Sequence, residues 1–315
     1  MAEDKPWALI SEKVKDVYLK DFVKLMAEHF HLVDHKDLLQ NPLLYGPKIQ
    51  AVFVWYYPRV ERSLLRLLPS LKVVANGGVG IDHLDVAYIS SLGVKVANTP
   101  DVVNNATADT AMGLLLASAR KIVEGEFKVK NSHKPFLMGV EVSGSTVGIV
   151  GMGRIGYKVA QRSRGFDMKI LYHNRNEEAV GATYCQKIDD LLRESDFVVL
   201  VVNLTAETTG LIGQRELSLM KPTATLVNVS RGLVVDQDAL VKALQSGTIG
   251  AAALDVTHPE PLPRDHPLLH LPQVLITPHI GTSTYETTRK MVERAVENAL
   301  AAVKGLPLPD EVKPK

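Results

Sequence analysis

Three short segments carry a guanidinium, a carboxylate and an imidazole, each directly after a run that reads as a β-strand. Asn228-Val-Ser-Arg231-Gly232 follows Thr225 to Val227, Asp255-Val-Thr-His-Pro-Glu260-Pro follows Ala251 to Leu254, and Thr277-Pro-His279-Ile-Gly281 follows Val274 to Ile276. In doubly wound sheets, ligands bind outside the carboxyl ends of the strands, so these turns can converge on one crevice. A fixed cation, a carboxylate and a proton-exchanging ring brought together there could hold an anion and move a proton. Taken singly, each has an ordinary reading: Arg231 as a surface cation, Glu260 as a solvated carboxylate between prolines, His279 as a turn histidine.

A fourth segment, Gly151-Met-Gly153-Arg154-Ile155-Gly156, lies between the strand-like Val147 to Val150 and a helical stretch from Tyr157 to Arg164. That is the setting a dinucleotide-binding loop requires. Gly151 would allow the tight turn, Gly153 the approach of backbone to a pyrophosphate, and Gly156 the packing of helix on sheet. The free N–H groups and positive dipole end of the helix would face the phosphates. Methyltransferases share glycine-rich strand–helix turns, so this loop alone leaves the nucleotide class open.

The next strand, Lys169 to Tyr172, runs into His173-Asn174-Arg175-Asn176. Asn174 lies 23 residues beyond Gly151, where an NAD enzyme would place an acid against the ribose 2′-OH. A carboxylate there would repel a 2′-phosphate. Asn174 and Asn176 can instead donate to one, Arg175 can pair with it in bidentate fashion, and Arg154 can add a second cation. The turn therefore favours NADP(H) over NAD(H), although Asn-Arg-Asn also suits a solvated polar turn.

The elements that must position these residues alternate along the chain. Strand-like Ala8 to Ile10, Ala51 to Trp55, Leu71 to Ala75 and Val94 to Ala97 are interleaved with amphipathic stretches, which argues for a parallel sheet covered by helices on both faces. Asn105 to Arg120 reads as a long helix apolar nearly all round, hence buried, where one domain meets the next. A second βαβ series follows, with strands at Thr146 to Val150, Lys169 to Tyr172, Phe197 to Val202, Thr225 to Val229, Ala251 to Val256 and Val274 to Ile276. A last amphipathic helix, about Thr284 to Val303, is expected to cross back to the N-terminal series. The expected domains are residues 1–104 with 285–315, and residues 105–284.

Composition narrows the function classes. With 46% apolar and 23% charged residues, the 315-residue chain has an ordinary globular composition and room for two domains. A net charge of +1 gives no electrostatic footprint for nucleic acid or an anionic membrane. Apolar runs such as Phe197 to Val202 are far short of the roughly 20 residues of a membrane span. The single cysteine, Cys185, excludes an internal disulfide framework. No His/Cys ligand spacing points to a metal. These features, with a start that resembles neither signal nor transit peptide, suggest a cytoplasmic protein.

The order and wording of the segments, V-N-V-S-R-G-L-V-V-D and T-P-H-I-G behind the glycine loop, resemble the D-isomer-specific 2-hydroxyacid dehydrogenases. Gly77-Gly-Val79-Gly80-Ile-Asp82 is similar to that family's substrate-domain loop, so the likeness covers nearly the whole chain. Within the family the chain looks closest to the glyoxylate/hydroxypyruvate reductases, and the Y-x-N-R-N turn resembles their NADP-preferring members. The resemblance implies an α/β fold of two Rossmann-like, flavodoxin-like parallel-sheet domains with the active site in the cleft between them. It implies Arg231 as the substrate-carboxylate anchor, His279 as the acid/base, Glu260 as its partner, and Val79 and Gly80 as backbone donors to the carboxylate. Thr110, Asn203, Val229, Asp255 and Gly281 fall where family members line the nicotinamide side. A homodimer through the cofactor domain is also implied. Asn203 stands where the family commonly has Pro. Some relatives carry a Trp before the glycine loop, where this chain reads Lys134-Pro-Phe136-Leu-Met.

The implied chemistry suits these residue types. Reduction of a 2-oxoacid to a D-2-hydroxyacid needs a hydride at C2 and a proton at its oxygen. A guanidinium holds carboxylate and carbonyl oxygens in a planar fork, an imidazolium donates the proton, and a nearby carboxylate favours and orients the imidazolium. Because the hydride comes from the dinucleotide, no metal is required. Trp55 and Tyr56, just after a substrate-domain strand, could line the pocket. A sugar acid such as 2-ketogluconate is the alternative substrate to glyoxylate or hydroxypyruvate. A dinucleotide-sensing corepressor is the alternative role.

Overall fold

The computed structural model describes residues 5–11, 20–55, 57–131, 137–178 and 180–314. Tyr56 and Lys134 to Phe136 lie outside the described residues. The strands are β1 Trp7–Ile10, β2 His31–Asp34, β3 Ile49–Val54, β4 Val73–Asn76, β5 Lys95–Ala97, β6 Thr146–Val150, β7 Lys169–His173, β8 Thr183–Tyr184, β9 Phe197–Leu200, β10 Thr225–Asn228, β11 Ala251–Leu254, β12 Val274–Ile276 and β13 Glu311–Val312. The helices are α1 Lys20–His29, α2 His35–Gln40, α3 Pro42–Tyr45, α4 Arg62–Arg66, α5 Val86–Ser91, α6 Asn104–Ala119, α7 Ile122–Lys130, α8 Arg154–Arg164, α9 Ile188–Glu194, α10 Gln214–Leu219, α11 Gln237–Gln245 and α12 Tyr285–Val303.

The chain divides into two units, Met1–Val103 with Thr284–Lys315, and Asn104–Ser283. Their borders fall one residue before those expected from sequence.

The first unit has a six-stranded sheet in the order β13-β5-β4-β3-β1-β2. Its strands run parallel except β13, which pairs antiparallel with β5 through Glu311–Ala97 and Val312–Val96. This edge strand corrects the all-parallel expectation. Helix α12 packs against α1, β3 and β4 through Val292, Ala295, Val296 and Ala299, all buried. From its second half, Arg294 and Asn298 both hold Asp310, which steers the tail into β13.

The second unit has seven strands in the order β12-β11-β10-β9-β6-β7-β8, with every described pairing parallel. Its apolar runs are continuous because both faces are covered. In β9, Val198 and Leu200 enter one core, whereas Phe197 and Val199 enter the other. The two-residue period of the strand sorts one run into two cores. Helix α6, apolar all round as read from sequence, packs on α8 and over β10 and β11. Among the described residues, no helix is long and apolar enough to cross a membrane.

Strand order in the second unit reverses between β6 and β9, and in the first between β1 and β3. Connections leave in opposite directions at such a point, opening a crevice outside the strand ends. The glycine loop follows β6, and Trp55 follows β3.

Candidate active site

Each glycine of the loop is there for its own reason. Gly151 has φ of +101°, the left-handed side of the map, and its N–H donates to His173 O at 2.9 Å. A β-carbon on Gly156 would fall 2.1 Å from Gly151 O, so only glycine lets α8 start this close to the strand end. A β-carbon on Gly153 would meet nothing within 4 Å. The space over the N-terminus of α8 is open there, and Gly153 brings no side chain to cap the first N–H groups. This cradle fits the pyrophosphate of a dinucleotide, with Arg154 exposed and Ile155 half-buried in the first turn.

The Gly151–His173 bond places the turn after β7 beside this loop. Asn174 is half-buried, and Arg175 and Asn176 are exposed. The turn is braced by two tyrosines outside the sequence-derived set. The Tyr172 hydroxyl accepts from Glu178 N at 2.7 Å and donates to Glu178 O at 2.8 Å, while the Tyr184 hydroxyl donates to Asn174 O at 3.3 Å. Two exposed carboxylates, Glu177 and Glu178, follow Asn176.

Arg231, Glu260 and His279 lie after three neighbouring strands, β10, β11 and β12, registered Asn228–Leu254 and Leu254–Ile276. Asn228 closes the first turn: its Oδ1 accepts from Ser230 N and Oγ, and its Nδ2 donates to Arg231 O at 2.9 Å. The Arg231 guanidinium donates to Ser230 O at 2.8 Å. A β-carbon on Gly232 would fall 2.1 Å from Thr257 O, so this glycine lets the Arg231 turn lie against the loop that carries Glu260. That loop is tied down where Gln237 bonds both the N–H and the carbonyl of His258.

Glu260 bridges two partners. Its Oε1 accepts from Thr257 N at 3.0 Å, and its Oε2 lies 2.9 Å from His279 Nδ1. Burial pushes the Glu260 carboxyl up. The His279 hydrogen bond and charge, the Thr257 N–H and the Arg231 charge more than offset this and hold it below the usual carboxylate range.

His279 has φ of +54°, which is uncommon for a non-glycine residue. The buried carboxylate of Asp255 organises the turn: Oδ1 accepts from Thr277 Oγ1 at 2.6 Å and Ile280 N at 2.8 Å, and Oδ2 from Gly281 N at 2.8 Å. The resemblance implies Asp255 as lining for a nicotinamide; its two oxygens are engaged in the His279 turn. A β-carbon on Gly281 would come within 3.0 Å of Asp255 Oδ2. Thr107 on α6 is the nearest side chain beyond it, whereas Thr110 lies one turn further along, half-buried. Val229 is buried, and Asn203 is exposed with its carbonyl accepting from Thr208 Oγ1 at 2.6 Å.

In the first unit, the Gly77–Gly80 loop is shaped by two asparagines and a threonine absent from the sequence-derived set. Asn76 Nδ2 donates to Gly78 O and Gly80 O at 3.0 Å each, Asn98 Nδ2 donates to Val79 O at 2.9 Å, and Thr99 N donates to Gly78 O at 3.0 Å. In a trans peptide the N–H points opposite to the preceding C=O. Drawing the Gly78 and Val79 carbonyls onto these partners therefore turns the Val79 and Gly80 N–H groups away from them.

Comparison with known proteins agrees with this architecture. Residues 112–281 match the NAD-binding domain of the D-isomer-specific 2-hydroxyacid dehydrogenases. The chain is 41% identical over 319 residues to the glyoxylate reductase of Thermococcus onnurineus, covering 96% of this chain and 94% of that protein. It is 41% identical over 316 residues to glyoxylate/hydroxypyruvate reductase B of Pectobacterium atrosepticum, with 96% of each covered. Among solved structures, the NADPH-dependent glyoxylate/hydroxypyruvate reductase of Sinorhizobium meliloti, in complex with NADP and malonate, superposes with a TM-score of 0.88 at 32% identity, covering 98% of this chain and 97% of that one. On fold, on the matched NAD-binding domain and on similarity along nearly its whole length, the chain belongs to the D-isomer-specific 2-hydroxyacid dehydrogenase family.

Proposed function

We propose that the protein is an NADPH-dependent reductase of small 2-oxoacids, glyoxylate and hydroxypyruvate foremost, giving D-2-hydroxyacids. The observation that carries this reading is the Glu260–His279 pair at 2.9 Å, with the Arg231 charge acting on the same carboxylate. When bound, the dinucleotide supplies the hydride that reaches C2. Gly151, Gly153 and Gly156 would hold its pyrophosphate, and Thr110, Val229 and Asn203 its nicotinamide side.

Arg231 grips the carboxylate and carbonyl oxygens in one plane and fixes C2, and the Val79 and Gly80 amides add donors to the carboxylate. Glu260 accepts a hydrogen bond from Nδ1–H of His279, which leaves Nε2 to give its proton to the carbonyl oxygen. The proton leaves the imidazolium as the hydride arrives, and the product is neutral at the new hydroxyl. In oxidation the same nitrogen takes the proton back.

The NADPH preference is supported by Asn174, Arg175 and Asn176 standing where an acid would read a 2′-OH, and by the NADPH dependence of the Sinorhizobium meliloti enzyme. Pairing with a second copy is supported by α7 and the segment after it, where Phe127, Val129 and Met138 are 65%, 71% and 72% exposed. Light scattering at twice the chain mass is the expected result. A cytoplasmic setting, where a lone thiol such as Cys185 stays reduced, completes the reading.

The test is His279→Ala. NADPH oxidation with glyoxylate should fall by about 10²–10⁴-fold, the range of a proton-transfer group, with NADPH affinity retained. Activity close to wild type would remove His279 from the chemistry.

A further inference from the structure

Gly77 has no room for a side chain, and the group that fills the space is Trp55. A β-carbon on Gly77 would fall 2.0 Å from Trp55 Cε2, 2.1 Å from Nε1 and 2.5 Å from Cζ2. These atoms belong to one rigid bicyclic ring, so no flexible end can swing aside. Gly77 is not among the glycines at positive φ, so the close approach of the indole, and not the backbone conformation, demands glycine here.

The ring is itself held in place. Trp55 follows β3, its N–H donates to Tyr57 O at 3.2 Å, and its carbonyl accepts from Tyr57 N at 2.7 Å. It stacks over Phe53 with centroids 6.4 Å apart at 29°. Gly77 N donates to Val54 O at 2.8 Å, tying the loop to the same strand. Trp55 Nε1 is buried with no hydrogen-bond partner among the described residues. A buried donor left unpaired is costly, so an aliphatic or phenyl ring would pack here more cheaply if filling space were all that mattered. The flat breadth of the indole is what the loop uses.

We propose that Trp55 is a positioning residue for carboxylate recognition. Its indole is the platform on which Gly77 to Gly80 is laid, with Asn76 holding the Gly78 carbonyl, Asn98 the Val79 carbonyl, and the Val79 and Gly80 N–H groups aimed away from those partners. This rests on the reading that those two amides bind the substrate carboxylate. It differs from Trp55 as a pocket wall in a measurable way. Every 2-oxoacid presents the same carboxylate, so a disturbed platform weakens all of them alike, whereas a wall would discriminate by the group attached to C2.

The experiment compares wild type, Trp55→Ala, Trp55→Phe, Gly77→Ala and the Trp55→Ala, Gly77→Ala double variant with glyoxylate, hydroxypyruvate and 2-ketogluconate. In Trp55→Ala, KM should rise by one common factor of about 10-fold or more, the worth of one hydrogen bond to a charged group, with kcat little changed because ground state and transition state share the contact. The dissociation constant of oxamate in the presence of NADPH should rise equally, that of NADPH should not move, and Trp55→Phe should recover only part of the loss, a phenyl ring being flat but narrower than the indole. Gly77→Ala should be damaging while the indole is present and nearly harmless in the Trp55→Ala background, a non-additive cycle in both KM and Tm. KM changes that depend on the substrate, or additive effects of the two substitutions, would overturn the proposal. A wild type that reduces none of the three acids would overturn the functional reading and the carboxylate role with it. The Tm cycle would still read whether the indole and the loop form one unit.

Discussion

Asp255 sets where the His279 ring stands by holding the backbone on both sides of it. The Asp255 carbonyl accepts from His279 N at 2.9 Å, and its carboxylate binds Thr277 on one side of the histidine and Ile280 and Gly281 on the other. The left-handed backbone of His279 persists because the residues on either side are fixed to one buried carboxylate.

Asp255→Asn tests this relationship. The amide keeps one acceptor oxygen but turns an NH2 towards a backbone N–H. We expect a loss of about 1–3 kcal/mol in stability, the cost of buried groups left unpaired, measured by urea unfolding. We also expect kcat/KM to fall by up to about 100-fold through misplacement of the imidazole. Unchanged stability and turnover would show that the turn holds without the carboxylate.

Glu260→Gln should move the pH profile in a direction that can be worked out. Burial raises the Glu260 carboxyl, but its bonds and charges to His279, Thr257 and Arg231 lower it by more, so it is ionised above the ordinary carboxylate range. The stabilising contribution of that ionised group is present there and is lost as pH falls through the lowered value. The negative charge favours the imidazolium, which reduction requires. Removing it should shift the alkaline fall in reduction kcat/KM to lower pH. The acidic limb of hydroxyacid oxidation, which requires neutral imidazole, should shift the same way. Profiles unmoved in both directions would confine Glu260 to bracing the Thr257 loop.

Arg231→Lys preserves charge and should still lose about 100-fold or more in kcat/KM, because a single ammonium cannot reproduce a planar fork on two oxygens. Near-normal turnover would remove Arg231 from the anchoring role.

Arg175→Ala addresses the cofactor. A charge-assisted pair with the 2′-phosphate is worth about 1.5–3 kcal/mol, or roughly 10- to 150-fold in affinity. The wild type should favour NADPH, and the substitution should erase most of that preference while sparing NADH turnover. Adding Asn174→Asp should carry the preference past neutral. Higher salt should weaken NADPH binding more than NADH binding in the wild type only. Equal KM values for the two cofactors in the wild type would contradict the assignment.

The long buried strands and the helices that separate them were legible because apolar runs such as Val147 to Val150 and Phe197 to Leu200 fill two cores at once. The edge strands β2, β8 and β13 were not, whereas the edge strand β12 was read at Val274 to Ile276. In β2, Val33 and Asp34 are the only buried residues, and β8 and β13 are two residues long, each held by one neighbour, so no apolar run marks them. Val201 and Val202 read as strand yet leave β9 to form the wall that Gly151 requires, with Val201 O 2.8 Å from where a Gly151 β-carbon would lie. At the site, motif wording pointed to Arg231, Glu260 and His279. It gave no role to Asn76, Asn98, Asn228 or Tyr172, which act through side-chain bonds to backbone in turns whose conformation sequence spacing does not specify. Asn76 before two glycines was the one available turn signal. The close fit of Trp55 on Gly77 joins two segments from different strand ends, and no local pattern records it.

The most direct test of the central claim follows NADPH oxidation by the wild type with glyoxylate, hydroxypyruvate, 2-ketogluconate and pyruvate side by side. Glyoxylate and hydroxypyruvate should give the highest kcat/KM, with one hydroxyacid formed for each NADPH consumed. Failure of all four acids while the dinucleotide still binds would contradict the account and favour a dinucleotide-sensing role. A clear preference for 2-ketogluconate would keep the chemistry and overturn the substrate.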